Sequence, residues 1–405
     1  MNPILIVGLV IITGFLFGEL AQLVKLPKVT GYILAGICIN PRLLPLIPQD
    51  FTTHTDLITN VALSFITFSV GGTLLAGRLK KLGKTILWIT VFEAEFALLA
   101  VVLGFLALAP FVGHGSTAAW AGKILPLGIL LGCLASPTDP SATLAVSHEY
   151  HAKGDVSSTI MGVAAFDDVF GIINYSLAVA AARILLAHTG FAPGGAVVAP
   201  AVSIVGGVLT GAAFGWLFNQ LARFMKRDTE GAFIVLVFAL LSLCFGLATV
   251  LKVDELLATM TMGVIVVNFN PNQEIIFRML ERYTEELIFV LFFTLSGMQL
   301  NFATLRSSLL FVALFVVFRA IGKGAGATFG AFVSHASPNV KKYTALGLLP
   351  QGGIVIGLAL MIKANPAFAS ISDSVVGIVI GATVIHEIIG PIAAEIALKK
   401  AGEIA

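Results

Sequence analysis

The stretch Ile160–Ala182, IMGVAAFDDVFGIINYSLAVAAA, reads as a membrane-spanning helix except for two adjacent aspartates at its centre, Asp167 and Asp168. A carboxylate at mid-bilayer costs several kcal/mol, from roughly 2.5 upward. Two in succession imply that the chain uses them.

The rest of the chain has the same character. Of 405 residues, 58% are hydrophobic and 11% charged, and the mean hydropathy is +0.99. Soluble domains carry about 25% charged residues. The expected fold class is therefore an all-α polytopic membrane protein. The first apolar run, 3–24, is too long for a cleavable signal and lacks a basic start. The chain stops at GEIA, just past its last apolar run, so no appended soluble domain is expected. A net charge of +2 gives no argument for nucleic acid. Cys38, Cys133 and Cys244 all fall inside apolar runs, which reads as buried hydrophobes rather than disulfides.

Apolar runs long enough to cross about 30 Å number thirteen: 3–24, 29–47, 57–77, 85–112, 123–149, 156–187, 198–223, 231–251, 254–270, 284–304, 307–333, 341–364 and 370–398. The second and ninth are short. With the N-terminus outside, the inner loops hold 16 Lys and Arg residues, among them Lys80, Lys81, Arg278, Arg282, Lys341 and Lys342. The outer loops hold five: Arg42, Lys123, Lys252, Arg306 and Lys363. Basic residues favour the cytoplasmic side, so the expectation is N-terminus outside and C-terminus inside.

Two of these runs are broken. Ser136-Pro137-Thr138-Asp139-Pro140 interrupts the fifth and Pro350-Gln351-Gly352-Gly353 the twelfth. Proline removes a helical N–H and clashes with the preceding turn. The freed backbone groups are tolerated at membrane depth only against protein or a cavity. Broken helices at corresponding places in two halves mark transporter binding sites. The halves do correspond: a long helix, a broken one, then FDDVFGII with Asp167 and Asp168, against a long helix, a broken one, then IHEIIGPI with His386 and Glu387. The triplets begin seven helices apart, at the fourth and the eleventh, so they start on opposite sides of the membrane, as in an inverted repeat with two crossing broken helices.

At 1.5 Å per residue, Asp167 lies roughly 17 Å into its helix. Thr138, Asp139 and Lys323 reach the same central layer. Successive helical residues point about 100° apart, so Asp167 and Asp168 face different targets. One can line an aqueous cavity and bind a cation or a proton; the other can pair with a buried cation, for which Lys323 is the natural candidate. The bland readings stay open: an Asp167–Lys323 pair that only holds helices together, and Thr138 and Asp139 as caps of the half-helices. Arg319 shares a helix face with Lys323, and Glu93 or Glu95 can partner it from the fourth helix. Ser136 is a further candidate at the break. Glu19 reads as a helix anchor, His386 and Glu387 as core-stabilising, and His148, Glu149 and His151 as a solvated loop able to titrate near neutral pH.

SPTDP (Ser136–Pro140), FDDVFGI (Phe166–Ile172), FRAIGK (Phe318–Lys323), LLPQGGIVIGLAL (Leu348–Leu360), IIGP (Ile388–Pro391) and KAGE (Lys400–Glu403) occur here in one order. The pattern resembles the monovalent cation:proton antiporters, and KLPKVTGYILAGICINP (Lys25–Pro41) is similar to that family's second helix. The resemblance covers essentially the whole chain. It implies that Asp168 binds cation and proton in competition, that Asp167 is salt-bridged to Lys323 in one state, and that Thr138 and Asp139 lie where the broken helices cross. Asp at position 167, where the electroneutral branch carries Asn, implies the electrogenic branch, exchanging two protons for one cation. It also implies a homodimer, with an ion-binding bundle over about 57–187 and 307–398 moving against a dimerisation scaffold over about 1–47 and 198–304. Helices one and seven to nine, which lack central charges, are expected on the interface side. The implied partners are lipid, protons and a monovalent cation (Na+ first, Li+ or K+ otherwise), with no cofactor, no nucleic acid and no enzymatic activity, in a prokaryotic inner membrane.

Two other readings compete. A cation-coupled organic-anion symporter shares the broken-helix crossing but calls for more polar lining than the chain offers. An intramembrane aspartyl protease takes its aspartates from two facing helices, whereas these are consecutive on one.

Overall fold

The computed structural model describes residues 2–24, 26, 28–43, 47–48, 51, 55–112, 117–139, 152–186, 193–224 and 230–404. These form sixteen α-helices, one short 3-10 turn and no strand. In chain order the helices are α1 (Pro3–Leu23), α2 (Lys28–Cys38), α3 (Asp56–Thr73), α4 (Ala76–Val112), α5 (Thr117–Cys133), α6 (Asp155–Leu186), α7 (Pro193–Phe224) and α8 (Glu230–Leu251). They continue with α9 (Glu255–Phe269), α10 (Gln273–Tyr283), α11 (Glu285–Met298), α12 (Phe302–Ser307), α13 (Leu309–Val333), α14 (Pro338–Gly347), α15 (Gly353–Ala364) and α16 (Ser372–Ala401).

Among the described residues, seven helices are long and apolar enough to cross a membrane: α1, α4 from Gly83 onward, α6, α7, α8, α13 and α16. Five more are apolar but shorter. Helix length alone therefore does not carry the count to thirteen, and the reasons are local. The second segment stops at Cys38 because Asn40 turns its amide onto the carbonyls of Met298 (2.8 Å) and Leu300 (3.0 Å), and Pro41 cannot continue a helix. The fifth and twelfth are interrupted where their prolines fall. The amphipathic helix α10, QEIIFRMLERY, buries Ile276, Met279 and Leu280 and keeps its charges outward, as expected of an interfacial element.

Helix ends follow their residues. Asn2 caps α1 by accepting from the Ile4 N–H at 2.9 Å, with Pro3 as the first helical residue. Asp254 caps α9 through the Leu257 N–H at 2.8 Å. Gly402 closes α16 at φ 75°, a conformation glycine adopts without strain. Gly83, at φ 74°, separates the basic turn AGRLKKL from the apolar length of α4.

Large apolar side chains lie exposed along the outer helices, among them Leu23, Trp216, Val235 and Val250. In water such a surface would aggregate; against lipid it is the required one. Between helices the driving force is close packing of small residues. The pattern Gly322, Gly326, Gly330 lays α13 directly on the backbone of α4, at Ala97, Glu93 and Ile89. Gly71 of α3 and Gly263 of α9 do the same for each other, meeting Met260 and Phe68 carbonyls. The α3 helix thus packs principally on α9, inside the scaffold side of the sequence division, so packing does not place residues 57–77 with the ion-binding bundle. Cys133 and Cys244 are buried as expected, but Cys38, at the open end of α2, is exposed.

Candidate ion-binding site

Both breaks are non-helical chain, mostly buried in the bundle: residues 134–139 after α5, and 348–352 between α14 and α15. They touch where the Asp139 N–H donates to the Pro350 carbonyl at 3.2 Å. Each break strips carbonyls of their helical donors, and an unpaired buried carbonyl is costly. One side chain repairs most of the damage. Arg319, fully buried, donates through Nε to Ala135 O (3.0 Å), through Nη1 to Leu349 O (2.6 Å) and through Nη2 to Pro137 O (2.8 Å) and Pro350 O (3.2 Å). Gln351 adds a second tie, donating to Leu134 O at 2.7 Å while its Oε1 meets His386 Nδ1 at 2.9 Å. Because that oxygen can only accept, His386 carries its proton on Nδ1.

The α6 and α16 helices sit on the prolines of the two breaks in the same way. A Cβ at Gly171 of α6 would lie 2.4 Å from Pro137 Cγ, and one at Gly390 of α16 would lie 2.6 Å from Pro350 Cγ. These are the glycines that follow the DDVF and HEII sequences.

The two aspartates diverge. Asp167 turns onto Lys323, Nζ to Oδ2 3.0 Å, with both side chains fully buried. Lys323 Nζ also reaches Glu93 Oε2 at 2.7 Å and Thr138 Oγ1 at 2.7 Å, and Thr138 donates in turn to Asp167 Oδ2. The ammonium therefore has three partners from α4, α6 and the first break. The sequence pairing of Glu93 with Arg319 is corrected here: the guanidinium is occupied by carbonyls, and the Glu93 carboxylate goes to Lys323. Glu95, two residues on, lies on the less buried side of α4.

Asp168 faces the other way, into a cavity of about 780 Å³ bounded at its inner end by Thr138, Asp139 and Asp168 and flanked farther out by Glu274, Glu281 and Glu285 of α10 and α11. Its Oδ1 is buried with no hydrogen-bond partner among the described residues. The Asp139 carboxylate rests against the backbone at the start of α15, where a Cβ on Gly352 would lie 2.1 Å from Oδ2. A helix N-terminus carries a partial positive charge that favours an anion there. Carboxylate, hydroxyl and backbone oxygens at one cavity end are hard ligands of the kind that suit an alkali cation or a proton.

The remaining candidates stand apart. Ser136 Oγ donates to Ala94 O (3.1 Å) and accepts from Asn174 (3.3 Å). Glu387 is buried, with Thr30 Oγ1 3.5 Å from its Oε2. Glu19 pairs with Lys28 at 2.7 Å, and Lys28 with Glu286 at 2.7 Å. Pro140, His148, Glu149 and His151 lie outside the described residues. Among the described residues no group of three or more His, Cys, Asp or Glu could hold a metal ion. Sequence reasoning missed the Arg319 and Gln351 ties. The signal was there: two broken helices free carbonyls, and an arginine with five donors at the same depth can satisfy them.

The model of the family described as sodium/hydrogen exchanger, transmembrane, matches residues 7–400. The chain belongs to that family. Its fold is that of a solved exchanger: it is similar to the sodium proton antiporter MjNhaP1 from Methanocaldococcus jannaschii at pH 8, with a TM-score of 0.77 and 20% identity over 98% of each chain. Among curated relatives it is similar to the uncharacterized Na+/H+ exchanger YjcE of Escherichia coli (29% identity over 39% of this chain) and to Na+/H+ antiporter 1 of M. jannaschii (23% over 42%). Those two matches cover only 29% and 38% of the relatives' own lengths. The probable Na+/H+ antiporter GerT of Bacillus cereus is 24% identical over 88% of each chain. Membership of that family accords with the long apolar helices of an integral membrane protein.

Proposed function

We propose that this chain is a secondary antiporter that exchanges protons for a monovalent cation, Na+ first, by alternating access. The observation that carries the reading is Asp168 at the inner end of the cavity, its Oδ1 without a hydrogen-bond partner, beside Thr138 and Asp139 at the crossing of two broken helices. A carboxylate held in such a place can bind a proton or a cation, and the two compete. If either ligand, but never neither, permits the switch between the two open faces, exchange follows.

The supporting geometry is a division of labour. Asp167 pairs with Lys323 while Asp168 lines the cavity, which is the disposition of a carrier carboxylate and its charge-balanced neighbour. The same divergence speaks against a protease, whose two aspartates must share a proton face to face. With the loop charges placing α10 on the cytoplasmic side, the cavity opens inward in this conformation, the N-terminus lies outside and the C-terminus inside. The moving bundle comprises α4–α6 and α13–α16. It works against a scaffold of α1, α2 and α7–α11, to which the packing of α3 on α9 adds α3, and the scaffold forms a homodimer.

The test is cation-induced collapse of an imposed proton gradient in proteoliposomes, with Na+, Li+ and K+ compared. Exchange with at least one of them is expected; if none moves protons, the reading fails.

A further inference from the structure

We propose that Glu93 is a second proton-binding carboxylate of the exchange cycle, taking up a proton when Asp167 pairs with Lys323 and giving it up when Asp167 turns to the cation. The inference rests on the exchange reading above and assigns the proton count within it.

The geometry begins with helix packing. Gly326, three residues after Lys323, would place a Cβ 2.6 Å from the Glu93 Cα, so α4 and α13 meet backbone to backbone. At that separation the Glu93 carboxylate reaches Lys323 Nζ at 2.7 Å, while Asp167 holds the same nitrogen at 3.0 Å. All three side chains are fully buried. The charged groups facing Glu93 are Lys323 and Arg319 of α13 and Asp167 of α6. Arg319 spends its donors on the four carbonyls of the crossing.

One ammonium therefore stands against two carboxylates. With both ionised the triad carries a net charge of minus one, opposed only by the Arg319 guanidinium, which donates to neither carboxylate, and that is unfavourable in a buried site. A proton on one carboxylate makes it neutral. Glu93 Oε1 and Asp167 Oδ1 each have no hydrogen-bond partner among the described residues, so each carboxylate has an oxygen to hold it. When Asp167 swings to a cation beside Asp168, Lys323 keeps only Glu93, and that pair is neutral when Glu93 is ionised. The proton-loaded state is then Lys323 ammonium, Asp167 carboxylate, and protonated Glu93 and Asp168, with net charge zero. The cation-loaded state has Lys323 ammonium, three carboxylates and one monovalent cation, with net charge minus one. Two protons leave, one from Asp168 and one from Glu93, for each cation bound, and Lys323 stays charged throughout.

The experiment counts protons released per Na+ bound by the purified full-length protein, by calorimetry in buffers of different ionisation enthalpy at one pH. The wild type is expected to release two and E93Q one. K323R, whose guanidinium does not titrate, is expected to keep two, and E93D to restore the second proton. An E93Q protein that still releases two, or a K323R protein that releases one, overturns the proposal. Loss of Na+ binding in E93Q also overturns it, because Glu93 is assigned the proton and not the cation. A wild-type protein that binds Na+ with no proton release defeats the exchange reading instead.

Discussion

The guanidinium of Arg319 holds the carbonyl of Pro137 at 2.8 Å, and through it the two broken helices are tied to α13. The other three bonds of the same side chain, to Ala135, Leu349 and Pro350, include carbonyls from both breaks. An irregular crossing at membrane depth persists only if its freed backbone groups are satisfied by protein, and charge-assisted bonds are about twice as strong as neutral ones. Arg319→Met takes the donor from the buried carbonyls of Ala135, Pro137 and Leu349, while Pro350 keeps the Asp139 N–H. The expected loss is on the order of 3–5 kcal/mol, as for other broken buried charge networks, with Arg319→Lys intermediate because one ammonium cannot reach four carbonyls. Thermal unfolding in detergent reads this, and a midpoint equal to wild type would show the crossing holds without the arginine.

Asp168→Asn removes the carboxylate at the end of the cavity while preserving its shape. No described residue donates to Asp168 Oδ1, so the neutral amide breaks no hydrogen bond of that oxygen and the protein is expected to fold with near-wild-type stability. Exchange should fall below detection in proteoliposomes. Retained exchange by a folded Asp168→Asn protein would move the binding site elsewhere.

The divergence of the aspartates was legible because adjacent helical residues cannot share a direction, and the positions of both breaks because proline there removes a helical N–H and crowds the preceding turn. The Lys323–Asp167 contact could be anticipated from depth alone. The third partner, Glu93, could not: its reach depends on how closely α4 and α13 approach, which Gly322, Gly326 and Gly330 set jointly with the facing backbone. The packing of α3 on α9 was not legible for a related reason. Its apolar run carries no charge to mark its neighbour, and the Gly71–Gly263 contact that fixes it pairs residues almost two hundred positions apart.

Gly326 and Gly324 make a paired test of that packing. A Cβ at Gly326 would lie 2.3 Å from the Phe92 carbonyl, whereas one at Gly324 meets nothing within 4 Å. Gly326→Ala should cost about 1–3 kcal/mol through overpacking and draw Glu93 away from Lys323. Gly324→Ala should be neutral or stabilising by up to about 1 kcal/mol, since alanine is the better helix former. Unfolding midpoints of the two variants decide it; equal effects would mean that α4 and α13 are not in backbone contact at Gly326.

Ser176, two turns beyond Asp168 on α6, donates to the Asp254 carboxylate. Asp254 in turn caps α9 at the Leu257 N–H (2.8 Å), and its own N–H donates to Ser203 of α7 (3.1 Å). The contact therefore joins the helix that carries the aspartates to two scaffold helices. If α6 moves against α7 and α9 in each cycle, this bond breaks and reforms, and the present conformation is the one it favours. A hydrogen bond to a charged acceptor contributes about 1.5–3 kcal/mol. Ser176→Ala should then shift the population away from the conformation with the open cavity by roughly tenfold or more, leaving Asp254 still capping α9. In proteoliposomes of uniform orientation, the Na+ KM on the cavity side should rise, while the fold, read by thermal unfolding, changes little. An unaltered KM with a lowered unfolding midpoint would make the bond purely structural.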